Sequence, residues 1–127
     1  MHRYGRPEWS DEKNRATFGA ASERHGHDYI CEVTVSGDID PLTGMIVDLG
    51  ALDRALDAEI RERFDGKDIN RDVTEFGDAG LVPTCENLAR FILERTQLAL
   101  GASVRVARVV VREDETLSAA YDASPAS

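Results

Sequence analysis

Polar and apolar side chains alternate from Tyr29 to Ser36: Tyr29, Cys31, Val33 and Val35 share one face, and Ile30, Glu32, Thr34 and Ser36 the other. That period of two predicts a half-buried antiparallel strand. Residues 37–44 carry turn chemistry in Gly37, Asp38, Pro41 and Gly44, so Met45, Ile46 and Val47 are expected to return as its partner strand. The period then changes. Leu49, Leu52, Leu56, Ile60 and Phe64 recur every three or four residues, which predicts a helix opened by Asp48 and packed by one stripe on the sheet. Residues 65–73 are polar, contain Gly66, and read as a loop. A second long helix is expected after Val82 and Pro83, with Thr84 as N-cap, Leu88, Phe91, Ile92 and Ala99 as its apolar side, and Gly101 as its stop. Residues 103–112 and 116–121 predict a closing hairpin with Glu113, Asp114 and Glu115 in its turn. Ahead of all these, Ser10-Asp11-Glu12 starts a short helix ending near Gly19. The order strand, strand, helix, helix, strand, strand implies an α+β domain, an antiparallel sheet with two helices packed on one face.

At 127 residues the chain is sized for one domain, expected over residues 1–122, with the small-residue tail 123–127 flexible. Asp and Glu number 24 against 15 Lys and Arg, a formal net charge of −9. Such a surface repels phosphate backbones and anionic lipid, which argues against nucleic-acid and membrane partners; it says little about a small-molecule substrate, whose pocket can be locally basic. No apolar run is long enough to span a bilayer, and the opening residues lack the apolar core of a signal peptide. Cys31 and Cys85 form no C-x-x-C pair, so a reducing cytoplasm is the expected compartment.

Metal chemistry enters with His25-Gly26-His27, at the entry to the first strand. Side chains two apart on a strand point the same way, so both imidazoles can converge on one point. His2 is the third and last histidine of the chain. Three neutral nitrogens leave a tetrahedral Zn2+ one open position, the arrangement of catalytic zinc. Two solvated histidines at a turn-to-strand junction would leave the same pattern.

Taken together, His2-Arg3, Ser10-Asp11-Glu12-Lys13-Asn14, Phe18-Gly19, His25-Gly26-His27-Asp28-Tyr29, Thr43-Gly44-Met45-Ile46-Val47-Asp48-Leu49, Pro83-Thr84-Cys85-Glu86-Asn87-Leu88-Ala89 and Glu113 with Tyr121 resemble the 6-pyruvoyl-tetrahydropterin synthase and 6-carboxytetrahydropterin synthase family. The resemblance implies a tunnelling fold, in which subunits associate through their sheets into trimeric barrels that pair as hexamers, with active sites between subunits. It also implies a Zn2+ held by His2, His25 and His27. Glu113 matches the carboxylate that anchors the pterin ring, and Thr84, Cys85 and Glu86 match the helix start lining the pterin pocket.

The chain also departs from that pattern. The family's proton-shuttle cysteine, the last residue of a Phe-Gly-x-Cys pattern, is replaced by Ala21, and its Asp-His pair by Asp65-Gly66. The family's first strand precedes the first zinc histidine, whereas this sequence opens at Met1-His2. Glu23, two residues before His25, is the candidate base in place of the lost relay, against the alternative of a solvated loop acid. Asp65 is a candidate for orienting a group across a subunit interface, or a plain surface acid. Cys85 at a helix start could carry a lowered pKa, but a small buried thiol is its commoner fate. Cys31 reads as core.

Three functions follow in order of expectation. The first is a zinc-dependent lyase or isomerase using Lewis-acid chemistry for epimerisation or retro-aldol cleavage next to a carbonyl, on a pterin side chain or a non-pterin metabolite. The second is an enzyme still acting on 7,8-dihydroneopterin triphosphate, with Glu23 as base and Arg3, Arg24 and Lys67 as candidates for phosphate contacts. The third is a non-catalytic zinc-binding assembly protein.

Overall fold

The computed structural model describes residues 2, 3, 5, 10–18, 28–77 and 80–124. Its elements are α1 (Asp11–Phe18), β1 (Ile30–Ser36), α2 (Leu49–Leu56) running on through a π turn (Asp57–Arg61) into α3 (Glu62–Phe64), α4 (Ile69–Asp72), a 3-10 turn (Thr74–Phe76), α5 (Cys85–Leu100), β2 (Arg105–Arg112) and β3 (Ser118–Asp122). The strands form one antiparallel sheet in the order β1-β2-β3, with helices against one face, the expected α+β architecture.

One strand assignment is corrected. The partner of β1 is β2, with Cys31 opposite Val111 and Val33 opposite Val109, while residues 45–47 form loop. Three apolar residues offer a short ladder. β2 offers eight residues with Val106, Val109 and Val111 buried, and this longer pairing outweighs the nearer one. Met45 to Val47 instead cover the end of β1, where Ile46 Cγ2 lies 3.0 Å from the point a Cβ on Gly37 would occupy.

The alternation of β1 is as expected: Tyr29, Cys31, Val33 and Val35 turn inward, and Ile30, Glu32 and Thr34 outward. On the outer face Glu32 pairs with Arg112 at 3.6 Å and Arg108 with Asp122 at 3.5 Å. Against the inner face lies α5, through Leu88, Ala89, Ile92 and their neighbours. Ala99 is exposed, and the apolar stripe ends on Leu100 instead. Thr84 caps α5, its hydroxyl accepting from the Asn87 N–H at 3.2 Å.

Asp48 caps α2 by accepting from the Ala51 N–H. Leu49, in the first turn, is exposed. Steps of four residues drift by about 40° each in an ideal α-helix, so Leu52, Leu56, Ile60 and Phe64 would wander off one stripe. The wider π turn at 57–61 rewinds that drift, and Ile60 and Phe64 reach the core.

The loop expected over 65–73 is also corrected. Ile69, Val73 and Phe76 are buried, on the successive turns α4 and Thr74–Phe76. Beyond β3 the chain stays attached to the sheet: the Ala123 N–H donates to Ala107 O at 2.9 Å, and the Arg105 guanidinium donates to Ser124 O at 2.8 Å. Ala123 and Ser124 thus hydrogen-bond back to β2. No helix of the described residues is long and apolar enough to cross a membrane.

Candidate functional site

His2 is fully buried although it stands near the start of the chain. The next residue explains its placement: the Arg3 N–H donates to Asn70 Oδ1 at 2.6 Å. Asn70 is fixed in turn by Asp68, whose carboxylate accepts the Asn70 N–H at 3.1 Å while the Asp68 N–H donates to Asp72 at 2.9 Å. The unexpected α4 turn thus ties down the residue next to His2.

Tyr29 approaches the imidazole edge-on, with ring centroids 5.6 Å apart and planes at 81°. Its hydroxyl oxygen lies 2.6 Å from His2 Nδ1 and 3.1 Å from Nε2. The same hydroxyl can donate to Glu113 Oε1 at 3.4 Å, and His2 Nε2 is 3.5 Å from that oxygen. Glu113, the first acid of the turn between β2 and β3, is only 6 % exposed. Its N–H donates to Leu117 O, and Asp114 Oδ1 gathers the Thr116 and Leu117 N–H groups, so the turn is closed by Asp114. The Glu113 side chain turns inward.

Cys85, the first residue of α5, is buried and hydrogen-bonded to both the backbone and the carboxylate of Glu113. Burial, then the charges of Glu113 and Glu86, push its thiol up to about 12. At neutral pH it is a neutral S–H donor to Glu113 rather than a nucleophile. Four groups from distant parts of the chain therefore meet: His2, Tyr29, Cys85 and Glu113.

The other expected site residues lie elsewhere. Thr84 spends its hydroxyl on the helix cap, and Glu86 faces solvent. Asp65 is exposed at the end of α3, its N–H donating to Arg61 O. Gly66 follows with φ of 68°, a left-handed turn that suits glycine and ends the helix. His25, His27, Glu23, Ala21 and Arg24 lie outside the described residues. Three imidazoles are a fitting donor set for a borderline divalent cation. Among the described residues, which contain only His2 of the three, no group of three His, Cys, Asp or Glu could hold a metal ion. Tyr29 is the site residue that sequence reasoning missed. Its signal was an inward-facing tyrosine, whose hydroxyl needs a partner when the ring is buried.

Residues 2–124, from the buried histidine to the end of the described chain, match the family model for 6-pyruvoyl tetrahydropterin synthase. The chain belongs to the 6-pyruvoyl tetrahydropterin synthase family. It is 40 % identical over 105 residues to a 6-pyruvoyl tetrahydrobiopterin synthase of Poecilia reticulata, covering 81 % of this chain and 70 % of that protein. It is 31 % identical over 107 residues to a dihydroneopterin monophosphate aldolase of Pyrococcus furiosus, covering 78 % of this chain and 85 % of the relative. Among solved structures, the 6-pyruvoyl tetrahydropterin synthase of Caenorhabditis elegans superposes with a TM-score of 0.86 at 28 % identity, over 97 % of this chain and 87 % of that one.

Proposed function

We infer that the chain is an enzyme of dihydropterin side chains, acting on 7,8-dihydroneopterin triphosphate or a close phosphate relative. The observation that carries this reading is the buried Glu113 carboxylate, set beside His2 and held by Tyr29 and Cys85. A pterin presents an adjacent ring N–H and amino group, and a fixed carboxylate accepts both. Glu113 binds and orients the ring, and Thr84, Cys85 and Glu86 wall the start of α5. His2, with His25 and His27, would hold a Zn2+, which supplies Lewis-acid polarisation of a side-chain hydroxyl or carbonyl. Glu23 is the base that takes the proton from the reacting side chain. Asp65 orients a group across a subunit boundary, within the trimers or hexamers that belong to the same reading. A monomeric mass in solution would remove that part of it.

The turn to a non-pterin metabolite gains no support from these relatives, whose names are those of pterin enzymes. The aldolase among them, together with the loss of the cysteine and histidine relay, favours a second reading, retro-aldol cleavage of the same side chain. There a base removes a hydroxyl proton, the neighbouring C–C bond breaks, and the electron pair moves into the ring imine.

The test incubates the zinc-loaded chain with 7,8-dihydroneopterin triphosphate and follows products by mass spectrometry, beside His25→Ala and Glu113→Gln. Loss of triphosphate with the side-chain carbons retained supports synthase chemistry, and a two-carbon fragment with a hydroxymethyl pterin supports the aldolase reading. Both variants should lose turnover by at least tenfold. Zinc bound with no pterin product at all would sink the enzyme reading and leave the assembly protein.

A further inference from the structure

The first residues of a chain are poorly ordered unless something ties them down, and a ligand among them is costly to bring to a cation. α4 supplies a tie to Arg3 from 67 residues away. The turn that carries it is itself fixed: Ile69 and Val73 root it in the core, the Asn70 N–H donates to Asp68 Oδ1, and the Asp68 N–H donates to Asp72 Oδ2. From that turn Asn70 Oδ1 accepts the Arg3 N–H at 2.6 Å. The bond acts on a rigid unit, because one planar peptide carries the Arg3 N–H and the His2 Cα. Holding the N–H restricts the plane at whose end the imidazole is attached. A contact through a ring nitrogen, such as the 3.5 Å approach of His2 Nε2 to Glu113, competes with a cation for that nitrogen. The backbone bond to Asn70 does not.

We propose that Asn70 is a positioning residue for the metal site: by holding the peptide between His2 and Arg3, it presents the His2 imidazole to a divalent cation. This rests on the reading of His2 as a metal ligand. A ligand already held in place has less freedom to lose when the cation arrives, so the tie is expressed as metal affinity. Groups that support a metal ligand without touching the metal change its affinity by about 10–100-fold when they are lost. Whatever else holds the His2 ring, the contribution of Asn70 adds to it through the backbone.

The experiment uses the full chain and reads zinc affinity by competition with a chromophoric chelator, with urea unfolding of the metal-free protein measured beside it. Asn70→Ala removes the acceptor and should weaken zinc by about tenfold or more. Asn70→Asp keeps an oxygen at the same reach. At about 1 M salt, where the added charge is screened, it should return zinc affinity to within about threefold of the wild type. Val106→Ala is the comparison for a loss of stability alone: Val106 is buried opposite Val35, at the end of β2 far from Glu113. It should lower the urea midpoint and leave zinc affinity within about threefold. Zinc affinity that holds in Asn70→Ala, falls as far in Val106→Ala, or is not restored by Asn70→Asp overturns the proposal. A second measurement needs no variant: with zinc bound, the Arg3 amide should be protected from hydrogen exchange, and exchange as fast as in a free peptide overturns the proposal as well. Wild-type protein that binds no zinc, or His2→Ala that binds it as tightly, overturns the underlying reading of His2 instead, and this is seen before Asn70 is changed.

Discussion

Replacing Phe76 by alanine removes the centre of the core. The side chain is 1 % exposed and closes a triangle of edge-on rings, 5.2 Å from Phe91 and 6.2 Å from Phe64, which are themselves 5.9 Å apart. Truncating a buried phenylalanine costs about 3–5 kcal/mol. The two ring contacts, at about 0.5–1.5 kcal/mol each beyond buried area, place this case near the top, about 4–5 kcal/mol. Against a total stability of about 5–15 kcal/mol, that is about a quarter or more of what the domain has. A urea slope of about 2 kcal/mol per molar converts the loss into a midpoint lowered by about 2 M. The assay is equilibrium urea unfolding at one fixed protein concentration, since subunit association would otherwise shift the midpoint. Leu42→Ala, at a residue 94 % exposed, is the comparison and should stay within about 0.5 kcal/mol of the wild type. A loss below about 1.5 kcal/mol for Phe76→Ala would refute the triangle as the centre of packing.

Glu59 gives a pH-dependent prediction. Burial by itself raises its carboxyl, but the hydrogen bonds from Arg95 and Arg63 outweigh that and hold it below the ordinary carboxylate range. Its folded pKa lies under the unfolded value of about 4.3, so its contribution is complete above that pH and is lost as the pH falls through the folded value. Glu59→Gln should cost about 1–2 kcal/mol at pH 7 and progressively less below about pH 4, and a cost independent of pH would contradict this. The cysteines give another prediction. Burial and the neighbouring Glu32 push Cys31 up to about 11, and Cys85 stands at about 12, so a disulfide reagent at pH 8 should label neither readily until the chain unfolds. One thiol reacting in the native protein as fast as free cysteine would contradict the burial of that residue.

How far the sequence could be read depended on whether the signal was local. The alternation of Tyr29, Cys31, Val33 and Val35 and the caps at Asp48 and Thr84 are local, and the structure has them as expected. The partner of β1 was not legible, because nothing in residues 45–47 says that a longer valine ladder waits at 105–112. The turns of 69–76 were hidden for another reason. Ile69, Val73 and Phe76 do recur at four and three residues, but acids, Asn70 and Arg71 between them look like loop, and each turn is too short for a periodic window. At the site, His2 and Glu113 could be named from motif matches, while Tyr29, which stands between them, lies 27 residues from one and 84 from the other, so their meeting depends on tertiary structure.

β2 is central in space and late in the chain: it pairs with β1 on one side and β3 on the other, yet starts only at residue 105. During synthesis, at about 5–20 residues per second, several seconds of chain growth separate β1, which ends at residue 36, from the strand at 105–112 that supplies its ladder. The sheet therefore cannot close until β2 has emerged. His2 likewise meets Glu113 only once β2 and the residue after it have been made.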